Sequence, residues 1–102
     1  MQIDYLKCFV ALSEFKSINK TSQFLSTTSQ NVGRILKKME TELGTVLFIR
    51  TPAGIRLTPH GEEFLAFAQT MVAQYDELQA KFQYHNSEQH HVEEVMLYSS
   101  DA

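Results

Sequence analysis

The spacing of apolar residues changes at Gly44, and this change constrains the fold more than any other feature of the sequence. Before Gly44, apolar residues recur every three or four positions in successive stretches, which is typical of amphipathic helices. After it, two short runs, TVLFIRT and GIRLT, are rich in β-branched and aromatic residues and are separated by PAG, a pattern that predicts a hairpin. Residues 1–58 therefore favour several short helices followed by a small β-hairpin.

The predicted helices before Gly44 have recognisable ends. Residues 3–15 form the first helix, and Ser17 or Asn19 caps a short second helix that runs through Leu25. A further group of capping residues precedes the third helix: Thr27, Thr28 and Ser29. Its apolar face recurs at intervals of four, three and four: Val32, Leu36, Met39 and Leu43. Gly44 ends this helix.

A longer fourth helix is predicted to begin after the hairpin. Thr58 caps it, Pro59 is its first residue, and Glu62 and Glu63 favour the positive end of its dipole. Apolar residues then recur at heptad spacing to about residue 84: Phe64, Ala68, Met71, Tyr75, Leu78 and Phe82. Because no neighbouring segment is left to cover this seam, we expect it to pair with a second copy of the chain, with packing on its own domain as the alternative.

Charged residues are segregated along the chain, although its formal net charge is only −3. Residues 1–60 contain eight Lys or Arg and four Asp or Glu, whereas residues 61–102 contain one Lys and eight Asp or Glu. Such asymmetry is expected when one part of a protein contacts a polyanion. No apolar run approaches the ~18 residues needed to cross a bilayer, and the N-terminus lacks the pattern of a signal peptide. The sequence thus predicts a cytoplasmic protein without a membrane partner.

Two helices joined by a short turn and followed by a hairpin are the parts of a winged helix-turn-helix. In that fold, polar side chains near the start of the third helix reach base edges of double-stranded DNA. The candidate base contacts are Thr28, Ser29, Gln30, Asn31 and Arg34. Lys37 and Lys38 are candidate phosphate contacts, and the hairpin carries Arg50 on one arm and Arg56 on the other. Each feature alone is also typical of a capped, solvated helix, and their combination favours DNA.

The sequence resembles the N-terminal DNA-binding region of LysR-type transcriptional regulators from about residue 3 to residue 82. The resemblance rests on YLKCFVALSEFKSINKTSQFL, the Ser-Gln pair that opens the third helix, RILKKMETELGTVLFIRT and LTPHGEEFL. It implies a helix-turn-helix motif at about residues 18–37, with Arg50 and Arg56 contacting the DNA backbone or minor groove. It also implies a homodimer through the fourth helix, a tetramer as an option for a full-length protein, and a missing effector-binding domain that takes a small-molecule inducer.

The expected fold class is mainly α, a winged helix-turn-helix with a long C-terminal linker helix for dimerisation. Residues 1–58 would be the DNA-binding domain, with the wing at about residues 46–58, and residues 59–84 the linker helix. Residues 85–102, which include the strand-like run VEEVMLYSS, would be a hinge and the start of a truncated effector-binding domain. We expect a transcriptional regulator whose dimer recognises an inverted-repeat operator. The alternative is a coiled-coil protein-interaction module without specific DNA binding.

The chain departs from the family pattern at three places. Thr21 and Ser22 replace two alanines of the second helix, and both are small enough for close helix packing. The Ser29-Gln30 pair comes one residue late, which leaves open which side chain of Ser29, Gln30 and Asn31 recognises a base. Gly33 stands where a serine is common. It is either a small residue tolerated at a crowded surface, or its missing side chain lets the helix backbone approach DNA closely.

Catalysis and metal binding have little support in the sequence. Cys8 is the single cysteine, which excludes an intrachain disulfide and a cysteine cluster for zinc and suits a reducing compartment. His85, His90 and His91 cluster in a polar tail without the helical i, i+4 spacing of a metal-binding pair, and His60 fits the first turn of the fourth helix. No nucleophile with its base and no phosphate-binding glycine loop stands out, so we expect neither enzyme activity nor a metal or cofactor in this chain.

Overall fold

The structure, a computed structural model, describes the backbone of residues 1–88 and the side chains of residues 1–83. This part of the chain contains four helices and a two-stranded antiparallel sheet, in which Phe48 pairs with Leu57 and Thr51 with Gly54. The elements in chain order are α1 (Ile3–Phe15), α2 (Ile18–Phe24), α3 (Ser29–Leu43), β1 (Phe48–Thr51), β2 (Gly54–Leu57) and α4 (Pro59–Glu88). The predicted fold class, a mainly helical winged helix-turn-helix with a long C-terminal helix, is confirmed.

Hydroxyl side chains cap the starts of α2, α3 and α4, and Gly44 follows the end of α3, as predicted. The Ser17 side chain, rather than that of Asn19, caps α2 by accepting a hydrogen bond from the Lys20 amide at 3.1 Å. Equivalent bonds of 3.0 Å join Thr28 to the Asn31 amide at the start of α3 and Thr58 to the Gly61 amide at the start of α4. Each hydroxyl satisfies an amide that has no partner within its helix, so these bonds fix the residues at which α2, α3 and α4 begin.

The core lies between α1, α3, the hairpin and the first turns of α4. It is formed by apolar residues of these elements and of the loop before β1: Leu6, Cys8, Phe9, Leu12, Val32, Ile35, Leu36, Met39, Leu47, Ile55 and Ala68. From α2, the two residues that replace the family's alanines, Thr21 and Ser22, are buried. Their hydroxyls donate to the Ser17 and Asn19 carbonyls, each at 2.7 Å, so that close packing leaves neither hydroxyl unsatisfied.

The hairpin is attached to the helices through backbone groups. The Ile55 amide donates to the Lys16 carbonyl at the end of α1 at 3.0 Å. A Cβ on Gly54 would lie 2.7 Å from that carbonyl oxygen, so the close approach requires glycine. On the other arm, the Glu40 carboxylate accepts hydrogen bonds from the Leu47 amide at 2.8 Å and the Phe48 amide at 3.4 Å. The position of the hairpin is thus set by α1 and α3.

The seam predicted on α4 is partly used within the chain. Ala68 is fully buried, and the Phe64 ring packs edge-on against Phe9 with centroids 5.1 Å apart. The prediction that nothing in the chain covers these two residues is wrong, because the first turns of α4 pack on α1. Further along the seam, Met71 is 38%, Leu78 51% and Phe82 58% exposed. Tyr75 is half-buried, and its hydroxyl accepts a 3.1 Å hydrogen bond from the Gln79 side chain.

The chain divides into two compact units, residues 1–72 and 73–102, the second being described to residue 88. The first unit thus continues beyond residue 58, where the sequence placed the end of the DNA-binding domain. The strand expected within VEEVMLYSS, and His90 and His91, lie outside the described residues. In the part of the chain that the structure describes, no helix has both the length and the apolar character needed to cross a membrane.

Candidate nucleic-acid interface

Helix α3 has one buried face and one polar face. Val32, Ile35, Leu36 and Met39 are buried in the core. On the opposite side three polar residues recur at intervals of four and three, all of them exposed: Gln30, Arg34 and Lys37. We call these three residues the outer face of α3. Side chains at this spacing lie in one row along a helix, so the outer face presents one amide and two cations in line to solvent.

Thr28 and Ser29, two of the predicted base contacts, are bonded within the chain. Thr28 is the cap of α3. The Ser29 hydroxyl donates to the Asn19 side-chain oxygen of α2 at 3.1 Å and lies 3.3 Å from the Ser22 hydroxyl. The Ser29 hydroxyl therefore holds α3 against α2, whereas the Thr28 hydroxyl caps α3. The sequence indicates Asn19 only as an alternative cap of α2, because the bond between Asn19 and Ser29 depends on the angle between the helices.

Asn31 is bonded on both sides of its amide. Its Nδ2 donates to Thr27 Oγ1 at 3.0 Å, and its Oδ1 accepts from Arg34 Nη2 at 2.7 Å and from Arg34 Nε at 3.3 Å. We call Thr27, Asn31 and Arg34 the polar triad. In the sequence, Thr27 is only one of three neighbouring capping residues. The spacing of three residues from Asn31 to Arg34 was the available signal for their contact, since both lie on α3. Thr27 precedes the helix, so no helical spacing indicates its bond to Asn31.

The two lysines of α3 differ in their surroundings. Lys37 is exposed on the outer face. Lys38 is also exposed, but its Nζ lies 5.8 Å from the centroid of the Tyr5 ring of α1, within cation–π distance. The structure places Lys37 in line with Arg34, and Lys38 on the side of α3 that faces α1.

The two hairpin arginines do not lie together. Arg50 is opposite Ile55 in the sheet and Arg56 is opposite Ile49, so the two arginines lie on opposite faces of the hairpin. Arg50 shares its face with the buried Ile55, and Arg56 shares its face with the exposed Ile49. Arg56 also borders a cavity of about 340 Å³ between α1, β2 and the start of α4. A flat surface that contacts one face of the hairpin therefore meets the side chain of only one of the two arginines.

Gly33 lies at the edge of the outer face and is half-buried. Apart from its chain neighbours and the adjacent backbone of α3, a Cβ built on it would meet no atom of the chain within 4 Å. The surface around Gly33 is therefore not crowded within the chain, which corrects that part of the first explanation. Whether the glycine is merely tolerated or admits close approach of DNA stays open. Open space at this position is compatible with close approach of another molecule to the α3 backbone.

This arrangement, a helix-turn-helix whose second helix exposes a polar row, followed by a hairpin, defines the winged helix-turn-helix class. The family model described as bacterial regulatory helix-turn-helix protein, lysR family, matches residues 3–62. The chain therefore belongs to the lysR family of DNA-binding transcriptional regulators.

Individual relatives agree with this assignment. The chain is 37% identical over 70 residues to the transcriptional activator IlvY of Haemophilus influenzae, covering 69% of this chain and 24% of the relative. It is 31% identical over 80 residues to the regulator DgdR of Burkholderia cepacia, covering 78% of this chain and 27% of the relative. The chain thus spans about a quarter of the length of these curated relatives.

Solved structures show the same fold. The DNA-binding domain of BenM in complex with catB site 1 DNA has a TM-score of 0.79 and 26% identity, over 85% of this chain and 98% of that one. Full-length CbnR in complex with its target DNA has a TM-score of 0.75 and 26% identity, over 81% of this chain and 29% of that one.

Proposed function

We propose that this chain binds operator DNA by placing α3 in the major groove, with the outer face towards the base edges and phosphates. The observation that carries the proposal is the row of Gln30, Arg34 and Lys37, exposed directly opposite the buried face of α3. A helix that is fixed to its domain on one side and presents an amide and two cations on the other meets the requirements of direct base readout. The DNA complexes of BenM and CbnR, which share the fold, support this use of it.

Within this proposal the predicted contacts have different tasks. Gln30 and Arg34 recognise bases, and Lys37 contacts phosphate. Arg50 and Arg56 lie on different faces of the hairpin, so they reach different parts of the duplex. One of them contacts the minor groove and the other the DNA backbone. Thr28 caps α3, Ser29 joins α3 to α2, and Lys38 adds positive charge beside α1.

We further propose that the active form is a homodimer that recognises an inverted repeat. The exposed apolar residues Met71, Leu78 and Phe82 on α4 support pairing of this helix with a second copy. Two-fold symmetry in the protein requires two-fold symmetry in its site, with half-sites about one helical turn or a multiple of it apart. In this proposal a small-molecule inducer binds an effector domain and not the residues described here.

Selection of bound sequences from a random DNA pool tests these statements together. We expect enriched sequences with two related half-sites, and an affinity that falls steeply as salt rises, because phosphate contacts release counterions. Arg34→Ala should remove the preference at one base pair of each half-site. Lys81→Ala, which removes an exposed cation of α4 that no contact is proposed for, is the matched control and should leave the base preference unchanged.

A different outcome would favour the alternative function. Exposed Leu78 and Phe82 are equally suited to a module that binds another helix and no DNA. Such a module would enrich no sequence from the pool, and its weak DNA binding would not change with Arg34→Ala.

A further inference from the structure

We propose that Asn31 is a positioning residue that orients Arg34 for base recognition, with Thr27 as its anchor, and does not itself recognise a base. The proposal rests on the proposed function of α3 and goes beyond it, because it assigns a specificity role to two side chains that make no contact with DNA. It starts from the polar triad, whose three hydrogen bonds connect the turn before α3 to the outer face.

The bonds of Asn31 leave it poorly suited to contact adenine. A two-bond contact with adenine uses the amide oxygen as acceptor and the amide nitrogen as donor. Here the Oδ1 of Asn31 already accepts twice from Arg34, at 2.7 and 3.3 Å, and the Nδ2 donates to Thr27 at 3.0 Å. The adenine contact would have to displace at least one of the two Arg34 bonds from Oδ1, although Nδ2 keeps a second N–H that Thr27 does not use. Asn31 is also half-buried, whereas Gln30 and Arg34 are exposed.

The same bonds leave Arg34 well suited to contact guanine. A guanidinium has five N–H groups in a rigid fork. Asn31 takes one from Nε and one from Nη2, which fixes the plane of the fork on its inner edge. The remaining N–H groups of Nη1 and Nη2 form the outer edge, and two donors side by side match the N7 and O6 acceptors of guanine. Because the fork is already oriented, less side-chain freedom is lost on binding.

Thr27 completes the arrangement from outside the helix. Its hydroxyl precedes α3, and its own amide donates to the Ser22 carbonyl of α2 at 2.9 Å. The orientation of Arg34 therefore depends, through Asn31, on the turn that joins the two helices of the motif. A change in that turn would alter base preference without changing any residue on the outer face.

The test is a comparison of base preferences selected from a random pool by wild-type protein, Arg34→Ala, Asn31→Ala and the double variant. Arg34→Ala should lose about 5- to 150-fold of discrimination at one base pair, the range of one good bidentate contact. Asn31→Ala should lose about 3- to 10-fold at that same base pair, and the double variant no more than Arg34→Ala alone, since the two residues act as one unit. Loss at a different base pair, or additive losses, would overturn the positioning role.

Two conservative variants separate positioning from structural support. Asn31→Asp keeps an acceptor for Arg34 and should keep the preference at that base pair within about 3-fold, although its negative charge lowers affinity for all sequences. Thr27→Val removes the anchor and should weaken the same preference. If Asn31→Asp loses as much of the base preference at that base pair as Asn31→Ala does, the proposal is contradicted.

A measurement on the free protein distinguishes failure of the positioning role of Asn31 from failure of the proposed DNA binding by α3. In the free protein, the NMR signal of the Arg34 Nε–H should be protected from solvent exchange, and Asn31→Ala should remove the protection while the fold stays intact by circular dichroism. If wild-type protein selects no DNA sequence, the proposed function fails and the positioning role fails with it. If selection succeeds and the Nε–H is unprotected, the positioning role alone is overturned.

Discussion

Two glycines in helices illustrate how differently a single residue position constrains this chain. A Cβ on Gly61 would clash with the Leu47 carbonyl oxygen, whereas a Cβ on Gly33 would meet nothing within 4 Å beyond the adjacent backbone of its own helix. Both glycines lie in helices, so the sequence alone predicts the same effect of replacing either of them. Their difference comes from the loop before β1, which packs against the start of α4 and leaves α3 open.

The pair gives a matched prediction for stability. Gly61→Ala forces the backbone apart and should lower the free energy of unfolding by about 2–4 kcal/mol. Gly33→Ala should raise it by about 0.5–1 kcal/mol, because alanine is the better helix former and fits the open space. Urea denaturation followed by circular dichroism measures both. Equal effects of the two substitutions would mean that the approach of Leu47 to α4 is not as close as described.

Cys8 provides a prediction on pH dependence. Burial raises the pKa of its thiol to about 11, from an ordinary value of 9.0, because the thiolate would lie in the apolar core. The unfolded chain therefore releases this proton at lower pH than the folded chain does. The contribution of Cys8 to stability is complete below pH 9 and is lost as the pH rises from about 9 to 11.

Two measurements check the state of Cys8. Native protein at pH 8 should react with a thiol reagent only as fast as it unfolds, because a buried neutral thiol is a poor nucleophile. Between pH 8 and 11, the free energy of unfolding should decrease more steeply with pH for the wild type than for Cys8→Ala, which has no thiol to titrate. Rapid labelling of the native protein, or identical slopes, would contradict the burial of Cys8.

At the scale of elements, the hairpin depends on a side chain of α3. The Glu40 carboxylate accepts from the Leu47 and Phe48 amides at the point where the chain enters β1. Glu40→Ala should lower the free energy of unfolding by about 1.5–3 kcal/mol, the usual range for hydrogen bonds to a charged group. It should also speed hydrogen exchange at these two amides more than elsewhere.

The control for this prediction lies on the same helix. Glu42 is exposed and pairs with the N-terminal ammonium at 3.2 Å, so Glu42→Ala should change stability by no more than about 1 kcal/mol and leave exchange in the hairpin unaltered. If both variants behave alike, the hairpin is held by its own strands and not by α3.

The elements were largely predictable from the sequence because their signals are local. Apolar spacing and capping residues are properties of neighbouring positions, so α1, α3 and the hairpin could be placed from them. What could not be predicted is which side chains meet across elements. Nothing local shows that Ala68 is covered by the chain's own core or that Ser29 bonds to Asn19. The exposed polar row of α3 could therefore be located from the sequence, whereas the partners of Asn31 required three-dimensional contacts. That this row contacts DNA stays a prediction.

For the whole molecule, the exposed end of the α4 seam predicts the state of assembly. Leu78→Glu should give a folded monomer, because it places charge at an exposed apolar position of the proposed dimer contact without disturbing the core. Ala68→Glu should instead unfold the domain, since it buries an unpaired carboxylate. Light scattering after size exclusion measures the first effect and thermal unfolding the second. Gln79→Glu, an equal charge change at an exposed neighbour, should leave the dimer intact.

The behaviour of Leu78→Glu towards DNA follows from the same proposal. A monomer holds one half-site, so its affinity for an inverted repeat should drop towards that for a single half-site. A wild-type chain that is monomeric at high concentration would contradict the proposed dimer.

The bonds of the polar triad have a consequence for how DNA specificity changes during evolution or engineering. Gln30 and Lys37 project from α3 without a bond to the triad, so either can be exchanged without disturbing a neighbour. The side chains of residues 31 and 34 are hydrogen-bonded to each other, so a substitution at one position leaves the other side chain without its partner. Among related regulators, positions 31 and 34 should therefore change together, while position 30 varies alone. A library that randomises 31 and 34 jointly should yield new operator preferences that libraries at either position alone do not contain.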